Sequence, residues 1–311
     1  EYRMSNNEQQ HYFVGIDGGG SKCRAVVVSD DNIILGTGIS GPGNPLYGFE
    51  QATHSITTSV LFALEDAGLN DLPLDNLIAG VGLAGLNLPV LFDQMSVWQH
   101  PFKHLFLATD LLIACLGAHQ GGDGAVMITG TGSCGFSYVD GHRFVIGAHG
   151  FPHGDKGSGA WFGLQAAKHV LLSIDGILAP TIMTNRLLKI LDCKNDTDLV
   201  EVIAGQSATF YAQLANLVFD AADQGDEVAK RIVVEGANYI NNIADTLLSK
   251  NPPRISMIGG LTPRLKPWLS EDIRGKLSKP LNPPEIGSVL FARQQLALKL
   301  RAHCLSLEAN H

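Results

Sequence analysis

Two glycine-rich turns, each lying between β-rich runs, constrain the fold of this chain more than any other feature. The first run, 12–17, leads into three glycines and then into two more β-rich runs, 24–29 and 33–39. The same order returns from Gly124, where a β-rich run again leads into a glycine-rich turn and two further runs. β-branched and aromatic residues favour strands, and glycine allows tight turns. The repeat predicts a duplicated architecture with a cleft between its halves.

The other segments alternate between helical and extended patterns, which predicts an α/β protein. In chain order we expect a helix at 49–67, strands at 77–86 and 104–109, a helix from Asp110 to about 119, mostly helix from 157 to 249, a strand at 254–258 and a last helix at 286–305. The turn of the second repeat is expected at 130–135, with strands on both sides.

Composition and charge exclude several classes of protein. The chain is 45% hydrophobic and 17% charged, which supplies a large core, and its net charge of −8 argues against a nucleic acid or an anionic membrane as partner. The longest apolar stretch, 105–118, is too short to span a bilayer and contains Asp110. No Cys-x-x-Cys pair occurs, which argues against a disulfide framework. We therefore expect a soluble cytoplasmic protein.

Glycine is concentrated in the first half of the chain, where basic residues are scarce. Of the 35 glycines, 27 precede residue 164, and they gather at 18–20, around Asn44, at 130–135 and at 150–163. The same stretch has only six basic residues: Arg3, Lys22, Arg24, Lys103, Arg143 and Lys156. An anion bound there would be held largely by backbone N–H groups and a metal ion. The clusters predict where backbone meets phosphate or sugar.

The first turn has the sequence Asp-Gly-Gly-Gly-Ser-Lys at 17–22. Without Cβ atoms, Gly18, Gly19 and Gly20 allow successive N–H groups to point at a phosphate, and Asp17 at the strand end is suited to a hydrated Mg²⁺. An ordinary hairpin needs fewer glycines. The phosphate interpretation is favoured.

The second turn, Thr-Gly-Thr-Gly-Ser-Cys-Gly at 129–135, also matches the Gly-x-Gly-x-x-Gly dinucleotide pattern. A strand follows it rather than a helix, so we reject the dinucleotide interpretation. A second phosphate hairpin is expected instead, facing the first across the cleft as a clamp for ATP. Gly259 and Gly260, between a strand and a helix, would let adenine and ribose lie against backbone.

Two carboxylates have both functional and structural interpretations. Asp110 follows a buried strand, where ligands gather in α/β sheets, and is placed to accept a hydroxyl proton; alternatively it is only a helix N-cap. Asp155, in the glycine-rich segment 150–163, either binds sugar hydroxyls or stabilises a turn. His149 and His153 do not form a zinc site, because Pro152 and the glycines prevent a helix there.

In this order the motifs at 17–22, 109–110, 130–133, 154–159 and 258–260 resemble the actin-like ATPase and sugar kinase superfamily. More narrowly they are similar to its N-acetylglucosamine kinase and bacterial glucosamine kinase branch, of the BadF/BadG ATPase type. The resemblance implies two ribonuclease-H-like α/β domains with a central cleft: 12–118, then 119–285 with a helical layer, and a last helix, 286–306, that packs back on the first domain. It also implies ATP and Mg²⁺ as cofactors and a homodimer.

The resemblance further implies roles for individual residues. Asp110 resembles the catalytic base, and Asp17 would hold Mg²⁺ through water. The expected phosphate and nucleotide contacts are Gly18, Gly19, Gly20, Ser21, Lys22, Thr131, Gly132, Gly259 and Gly260. The expected sugar contacts are Asn44, Asp110, Ser133, Cys134, Gly150 and Asp155.

The function that these residues predict is phosphorylation of the C6 hydroxyl of N-acetylglucosamine by ATP. Glucosamine is the alternative substrate, because the sequence does not place a carboxylate or an apolar pocket at C2. Alternatives of another class are a sugar or ATP sensor without catalysis, and an ATPase activator. The scattered cysteines do not supply the iron–sulfur cluster that such activators need.

Overall fold

The computed structural model describes residues 11–309, so Arg3 lies outside the described residues. These residues divide into two compact units, 11–122 with 281–309, and 123–280. Each unit is built on one β-sheet. The predicted α/β class is confirmed.

The strands are β1 Tyr12–Gly18, β2 Cys23–Val28, β3 Ile34–Ser40, β4 Leu77–Leu83, β5 His104–Thr109, β6 Gly124–Thr129, β7 Ser133–Val139, β8 His142–Gly147 and β9 Ile255–Ile258. The α-helices are α1 Phe49–Asp66, α2 Pro89–Ser96, α3 Asp110–Ala118, α4 Gly159–Ile174, α5 Met183–Ile190, α6 Asp196–Ile203, α7 Ala208–Ala212, α8 Ala215–Asp223, α9 Glu227–Leu248, α10 Thr262–Leu265, α11 Glu271–Lys276 and α12 Pro284–Glu308.

The first sheet has the strand order β3-β2-β1-β4-β5, in which β1, β4 and β5 are parallel and β2 is antiparallel to both neighbours. Successive residues of a strand point to opposite faces. On β1, Val14 and Ile16 pack in the cluster that contains Ile56 of α1, whereas Phe13 packs with Val289 of α12. The sheet is therefore covered by α1 on one face and by α12 on the other.

Two glycines set the distance between this sheet and α12. Gly15 and Gly80 are register partners on β1 and β4. A Cβ atom on Gly15 would overlap the carbonyl oxygen of Glu285, and one on Gly80 would overlap that of Ser288. The Ser288 hydroxyl also donates to the carbonyl oxygen of Ile16, at 2.8 Å. The start of α12 consequently lies directly on the sheet backbone.

Part of the glycine excess therefore has a packing cause that the sequence analysis did not foresee. On β3, Cβ atoms at Gly36 and Gly38 would overlap the backbone of α1. In α12, a Cβ at Gly287 would overlap the carbonyl oxygen of Ile113. Gly36 and Gly38 therefore serve the contact between α1 and the sheet, and Gly287 serves the contact between α12 and α3, rather than a ligand.

The second sheet has the order β8-β7-β6-β9, in which β7 is antiparallel to both β6 and β8, and β9 is parallel to β6. Its core lies mainly among helices. Phe162 of α4, Phe219 of α8 and Val233 of α9 are fully buried in one cluster with Ala125 and Met127 of β6. This helical layer matches the expected helical stretch after residue 157.

Several element boundaries differ from the predictions by one residue, and those of β4, β7 and the last helix differ by more. Strand β4 ends at Leu83, because the chain turns at Gly85, where φ is +89°. Strand β7 begins at Ser133, which pairs with Thr129, so the second turn is shorter than 130–135. The last helix spans Pro284–Glu308, longer at both ends than expected. Within residues 11–309, none of the helices combines the length and the apolar character that a bilayer crossing requires.

We expect Gly80→Ala to destabilise the first unit. The added methyl group would overlap the backbone of α12, and overpacking of this kind costs about 1–3 kcal/mol. Denaturant unfolding of the purified protein measures the loss. Gly20→Ala is the matched control, because its Cβ would meet nothing within 4 Å and its φ is not positive. Equal midpoints for the two variants would contradict the packing role of Gly80.

Candidate active site

Two carboxylates, the predicted metal-binding Asp17 and the predicted catalytic Asp110, lie at the carboxyl ends of parallel strands, on the same end of the first sheet. Asp17 of β1 is paired with Gly82 of β4, and Leu83 of β4 is paired with Thr109 of β5. Asp110 follows Thr109 directly and opens α3. Asp17 and Asp110 also interact electrostatically, since the charge of Asp110 contributes to raising the pKa of Asp17.

The first glycine-rich turn is tight and partly open. The N–H group of Gly19 donates to the carbonyl oxygen of Lys22 at 2.9 Å, which closes the turn between β1 and β2. Ser21 and Lys22 are exposed, and a Cβ on Gly20 would meet nothing within 4 Å. Gly18 instead belongs to β1, where a Cβ would lie 2.5 Å from Leu83 Cδ2. Of these two predicted phosphate contacts, packing therefore explains why residue 18 is a glycine, but it does not explain the glycine at position 20.

Asp17 lies among other charges. Burial raises its pKa to about 7, with the carboxylates of Glu285 and Asp110 adding to the rise, while Arg24 and Lys22 oppose it. A cavity of about 290 Å³ opens beside it. The residues that line this cavity are Asp17, Gly19, Ser21, Lys22, Arg24, Pro283, Pro284 and Glu285.

The structure separates the two interpretations of Asp110. Thr109 is the N-cap of α3, and its Oγ1 accepts a hydrogen bond from the Leu112 N–H group at 3.2 Å. Asp110 is the first helical residue, and its Oδ1 accepts from the Leu111 N–H group at 3.0 Å. Burial raises the pKa of Asp110, and hydrogen bonds from backbone N–H groups oppose the rise. The capping role therefore falls on Thr109.

Asn44 is held in place by two neighbouring loops of the first unit. Its Oδ1 caps the short 3₁₀ turn Pro45–Tyr47 by accepting from the Leu46 N–H group at 2.9 Å. The preceding residue, Gly43, donates its N–H to the carbonyl oxygen of Gly19 at 2.9 Å, which ties this loop to the first glycine-rich turn. A Cβ on Gly85 would lie 2.5 Å from Asn44 Oδ1. Gly85 thus leaves the space that the Asn44 side chain occupies.

In the second unit, the second glycine-rich turn spans the residues between β6 and β7. The Gly130 N–H group donates to the Gly132 carbonyl oxygen at 2.9 Å, which places Thr131 at the tip. Ser133 and Cys134, both predicted sugar contacts, are buried residues of β7. The Ser133 hydroxyl donates to the carbonyl oxygen of Lys156 at 2.7 Å.

Asp155 connects this turn to the segment at 150–158. Burial raises its pKa, and hydrogen bonds from the backbone N–H groups of Ser133 and Gly150, together with the nearby His149, oppose the rise. Its φ of +60° is in the left-handed region. Asp155 therefore has the turn-stabilising contacts that were one of its two interpretations. A Cβ on Gly150, the other predicted contact here, would meet nothing within 4 Å.

The loop after β9 packs on the end of β6. Leu261 N–H donates to the Thr129 carbonyl oxygen at 3.0 Å, and a Cβ on Gly259, whose φ is +105°, would overlap that same oxygen. Gly260 borders open space. Among the described residues, the buried hydroxyls of Thr129 and Thr262 have no hydrogen-bond partner. Polar groups left unsatisfied beside open glycines are suited to a ligand.

The folded structure gives no reason for a glycine at a position where an added Cβ would meet no atom within 4 Å and φ is not positive. Among the described residues, Gly20, Gly130, Gly260 and Gly275 meet both conditions. Gly275 lies in α11, and each of the other three lies in one of the loops predicted to bind ATP. At these three loops the space beside the glycine is not filled by the protein itself, which favours a ligand that approaches the backbone there.

Sequence reasoning missed Glu285, Arg24 and Gly85. The only sequence signal for Arg24 was its place in the strand after the first turn, and in the structure it is the register partner of Asp17. Glu285, in the first turn of α12, has an ordinary explanation as a complement to the helix dipole. Gly85 is a single glycine in a loop, and its proximity to Asn44 depends on tertiary structure.

The charges around Asp17 fit a hydrated magnesium ion. Mg²⁺ is bound through one or two carboxylates, several waters and substrate phosphates rather than by an all-protein cage. No group of three or more metal-ligating side chains with suitable geometry occurs in the described part of the chain. Asp17, which lines the cavity beside the first glycine-rich turn, is a carboxylate of the kind that would hold such an ion through water.

Comparison with known proteins identifies the family. The profile of the BadF/BadG/BcrA/BcrD ATPase family matches residues 14–292. The chain belongs to this family.

Several members and neighbours are similar over nearly their whole length. A glucosamine kinase from Vibrio cholerae is 33% identical over 285 residues, 91% of this chain and 96% of that protein. An N-acetylmuramic acid/N-acetylglucosamine kinase from Clostridium acetobutylicum is 28% identical over 310 residues, 91% of this chain and 99% of that protein. A solved structure from Chromobacterium violaceum, provisionally named an N-acetylglucosamine kinase, has a TM-score of 0.84 and 28% identity, and covers 91% of this chain and 99% of its own.

We expect Asp17 to make the stability of this ATPase-family protein pH-dependent in the absence of divalent metal. Its pKa is raised from an ordinary value of 3.8 to about 7, so between these values the native state binds more protons than the unfolded chain. The free energy of unfolding therefore falls as pH rises through this window. Asp17→Asn removes the titration and should gain stability relative to wild type as pH increases.

Denaturant unfolding in EDTA at about pH 5 and about pH 8 measures this gain, which should be larger at the higher pH. Asp75→Asn, at an exposed position of the same unit, is the control. A difference between wild type and Asp17→Asn that stays constant with pH would contradict the prediction.

Proposed function

We propose that this protein is an ATP-dependent amino-sugar kinase that transfers the γ-phosphoryl group of ATP to the C6 hydroxyl of a hexosamine. One observation carries the proposal: Asp110 is a half-buried carboxylate at the end of a parallel strand, its pKa is raised by burial, and Thr109 rather than Asp110 caps the following helix. A carboxylate with a raised pKa is suited to accept a proton. Family membership and relatives named as amino-sugar kinases support the same activity.

In the proposed reaction Asp110 accepts the hydroxyl proton as the sugar oxygen attacks the γ-phosphorus. The backbone at 19–22 and 130–132 and the loop at Gly259 and Gly260 hold the nucleotide, with Ser21, Lys22 and Thr131 contributing side chains. Asp17 would hold the hydrated Mg²⁺ through its water shell. When bound, the ion would neutralise negative charge on the phosphate groups. Such transfers depend mainly on positioning and electrostatic stabilisation.

For the sugar we propose Asn44, Gly150 and Asp155 as contacts, in addition to Asp110. Asn44 is oriented by its cap to Leu46, and Asp155 is oriented by the backbone of Ser133 and Gly150. Because the Ser133 hydroxyl donates to Lys156, we propose that Ser133 and Cys134 act mainly by shaping this part of the second unit. A homodimer in the cytoplasm remains a prediction from the sequence.

For the acceptor we propose glucosamine as the preferred sugar, with N-acetylglucosamine as the second candidate. The sequence alone favoured N-acetylglucosamine. The glucosamine kinase from Vibrio cholerae, however, shares 33% identity with this chain, against 28% for the Clostridium acetobutylicum enzyme named for N-acetylated sugars. The TM-score of 0.84 to the Chromobacterium violaceum structure supports N-acetylglucosamine as the second candidate.

We expect Asp110→Asn to reduce kcat by about 10²- to 10⁴-fold, because the variant cannot accept the hydroxyl proton. The amide keeps the size of the side chain, so sugar binding measured by calorimetry should remain. A coupled assay for ADP measures turnover. Asp93→Asn, at an exposed position of α2, is the control and should retain wild-type turnover. Near-wild-type phosphorylation by Asp110→Asn would reject the proposed base.

A panel of sugars at fixed MgATP tests the acceptor. We expect kcat/KM for glucosamine to exceed that for N-acetylglucosamine, and both to exceed that for glucose. The reverse order of the two amino sugars would reject the proposed preference while leaving the kinase intact. ATP hydrolysis that is equally fast without any sugar would favour the ATPase alternative, and binding without turnover would favour the sensor.

A further inference from the structure

Glu285 is a buried carboxylate to which the proposed reaction gives no role. It lies in the first turn of α12 and is 8% exposed. Charged side chains are rarely buried to this extent unless they are paired. Its ion pair with Arg24 is long, at 3.9 Å between Oε1 and Nη1, which exceeds a hydrogen-bond distance. Arg24 itself is 42% exposed, so this pair compensates the buried carboxylate only weakly.

The packing of α12 on β1 directs Glu285 toward the metal-binding end of the sheet. Residues 13, 15 and 17 of β1 share one face, because strand side chains alternate. Phe13 contacts α12, and the backbone of Glu285 lies directly over Gly15. Asp17 is therefore the next residue of β1 on the face that α12 covers. Asp17 and Glu285 line the same cavity of about 290 Å³.

The first glycine-rich turn also lines this cavity. Gly19, Ser21 and Lys22 line it together with the two carboxylates. Phosphate groups approaching this turn would meet the carboxyl groups of Asp17 and Glu285 as well as Lys22 and Arg24. Like charges at close range in a partly buried site repel strongly, so a divalent cation between carboxylates and phosphates would allow both to be accommodated.

We propose that Glu285 acts with Asp17 as a second carboxylate for the divalent cation that accompanies the nucleotide, through the water shell of that cation. The inference rests on the proposed function, since it assumes that ATP binds at the first turn. Two carboxylates with waters and phosphates form a normal environment for Mg²⁺. A side chain that orients metal-bound water typically contributes about 10- to 100-fold to metal affinity.

Calorimetric binding of ADP, once with Mg²⁺ and once in EDTA, tests the role. In wild type, Mg²⁺ should tighten ADP binding. In Glu285→Gln, this metal-dependent gain should fall by about tenfold or more. Binding in EDTA should stay equal or become tighter, because a negative charge near the phosphates has been removed. The two opposite directions distinguish metal binding from a general change in the pocket.

A matched control variant keeps the test decisive. Glu227→Gln serves this purpose, because Glu227 also lies in the first turn of a long helix but is exposed and paired with Lys230 at 3.6 Å. It should retain the wild-type metal-dependent gain. A loss of the gain in Glu227→Gln equal to that in Glu285→Gln would overturn the inference.

An unchanged metal-dependent gain in Glu285→Gln would likewise overturn it. This failure is distinct from failure of the proposed function, in which the wild-type protein would not bind ADP under either condition. If Glu285→Gln does not fold, Glu285→Asp replaces it, because aspartate keeps the charge but shortens the reach. The expected result is then a partial loss of the gain, and full retention would overturn the inference.

Discussion

The close contact between α12 and the backbone of β1 and β4 is the constraint on which the rest of the first unit depends. Two glycines in register, Gly15 and Gly80, place no side chain between strand and helix at these two positions, so the carbonyl oxygens of Glu285 and Ser288 lie against the strands. The Ser288 hydroxyl bonds to β1 at the same level. Because the helix starts there, the carboxylate of Glu285 is carried to the end of β1 where Asp17 stands.

That arrangement concentrates negative charge at the edge of the sheet that would receive a nucleotide. Burial and the charges of Glu285 and Asp110 raise the pKa of Asp17 to about 7. Burial also raises the pKa of Asp110. Buried carboxylates reduce the stability of the native state at neutral pH. Carboxylates with perturbed pKa values cluster at functional sites, where the loss of stability is offset by their role. Here the suitable partners of these carboxylates are a hydrated cation and the proton of a hydroxyl group.

The sequence predicted the α/β class, the order of strands and helices, and the glycine-rich turns, because these depend on local patterns. Gly20, Gly130 and Gly260 border open space, as the ligand interpretation of those loops requires. The glycines at 15 and 80 could not be assigned, because their packing role depends on a helix about 200 or more residues later in the chain. The hydroxyl of Ser133 was likewise unpredictable, since its partner is the backbone of Lys156.

The choice between cap and base for Asp110 could have been anticipated only in part. Thr109 and Asp110 are both common at helix starts, and the sequence does not say which one caps. The register of β5 with β4 decides it, because the strand continues through Thr109 and the helix begins at Asp110. Glu285 had no signal beyond a routine acidic first turn, and only the tertiary contact over Gly15 places it beside Asp17.

Identification of the reaction product tests the central claim most directly. The purified protein would be incubated with MgATP and glucosamine labelled with ¹³C at C6, and the mixture followed by ³¹P and ¹³C NMR. We predict a new phosphate monoester whose phosphorus is coupled to C6, formed in step with ADP. Release of inorganic phosphate without any phosphorylated sugar, for glucosamine and for N-acetylglucosamine alike, would contradict the account.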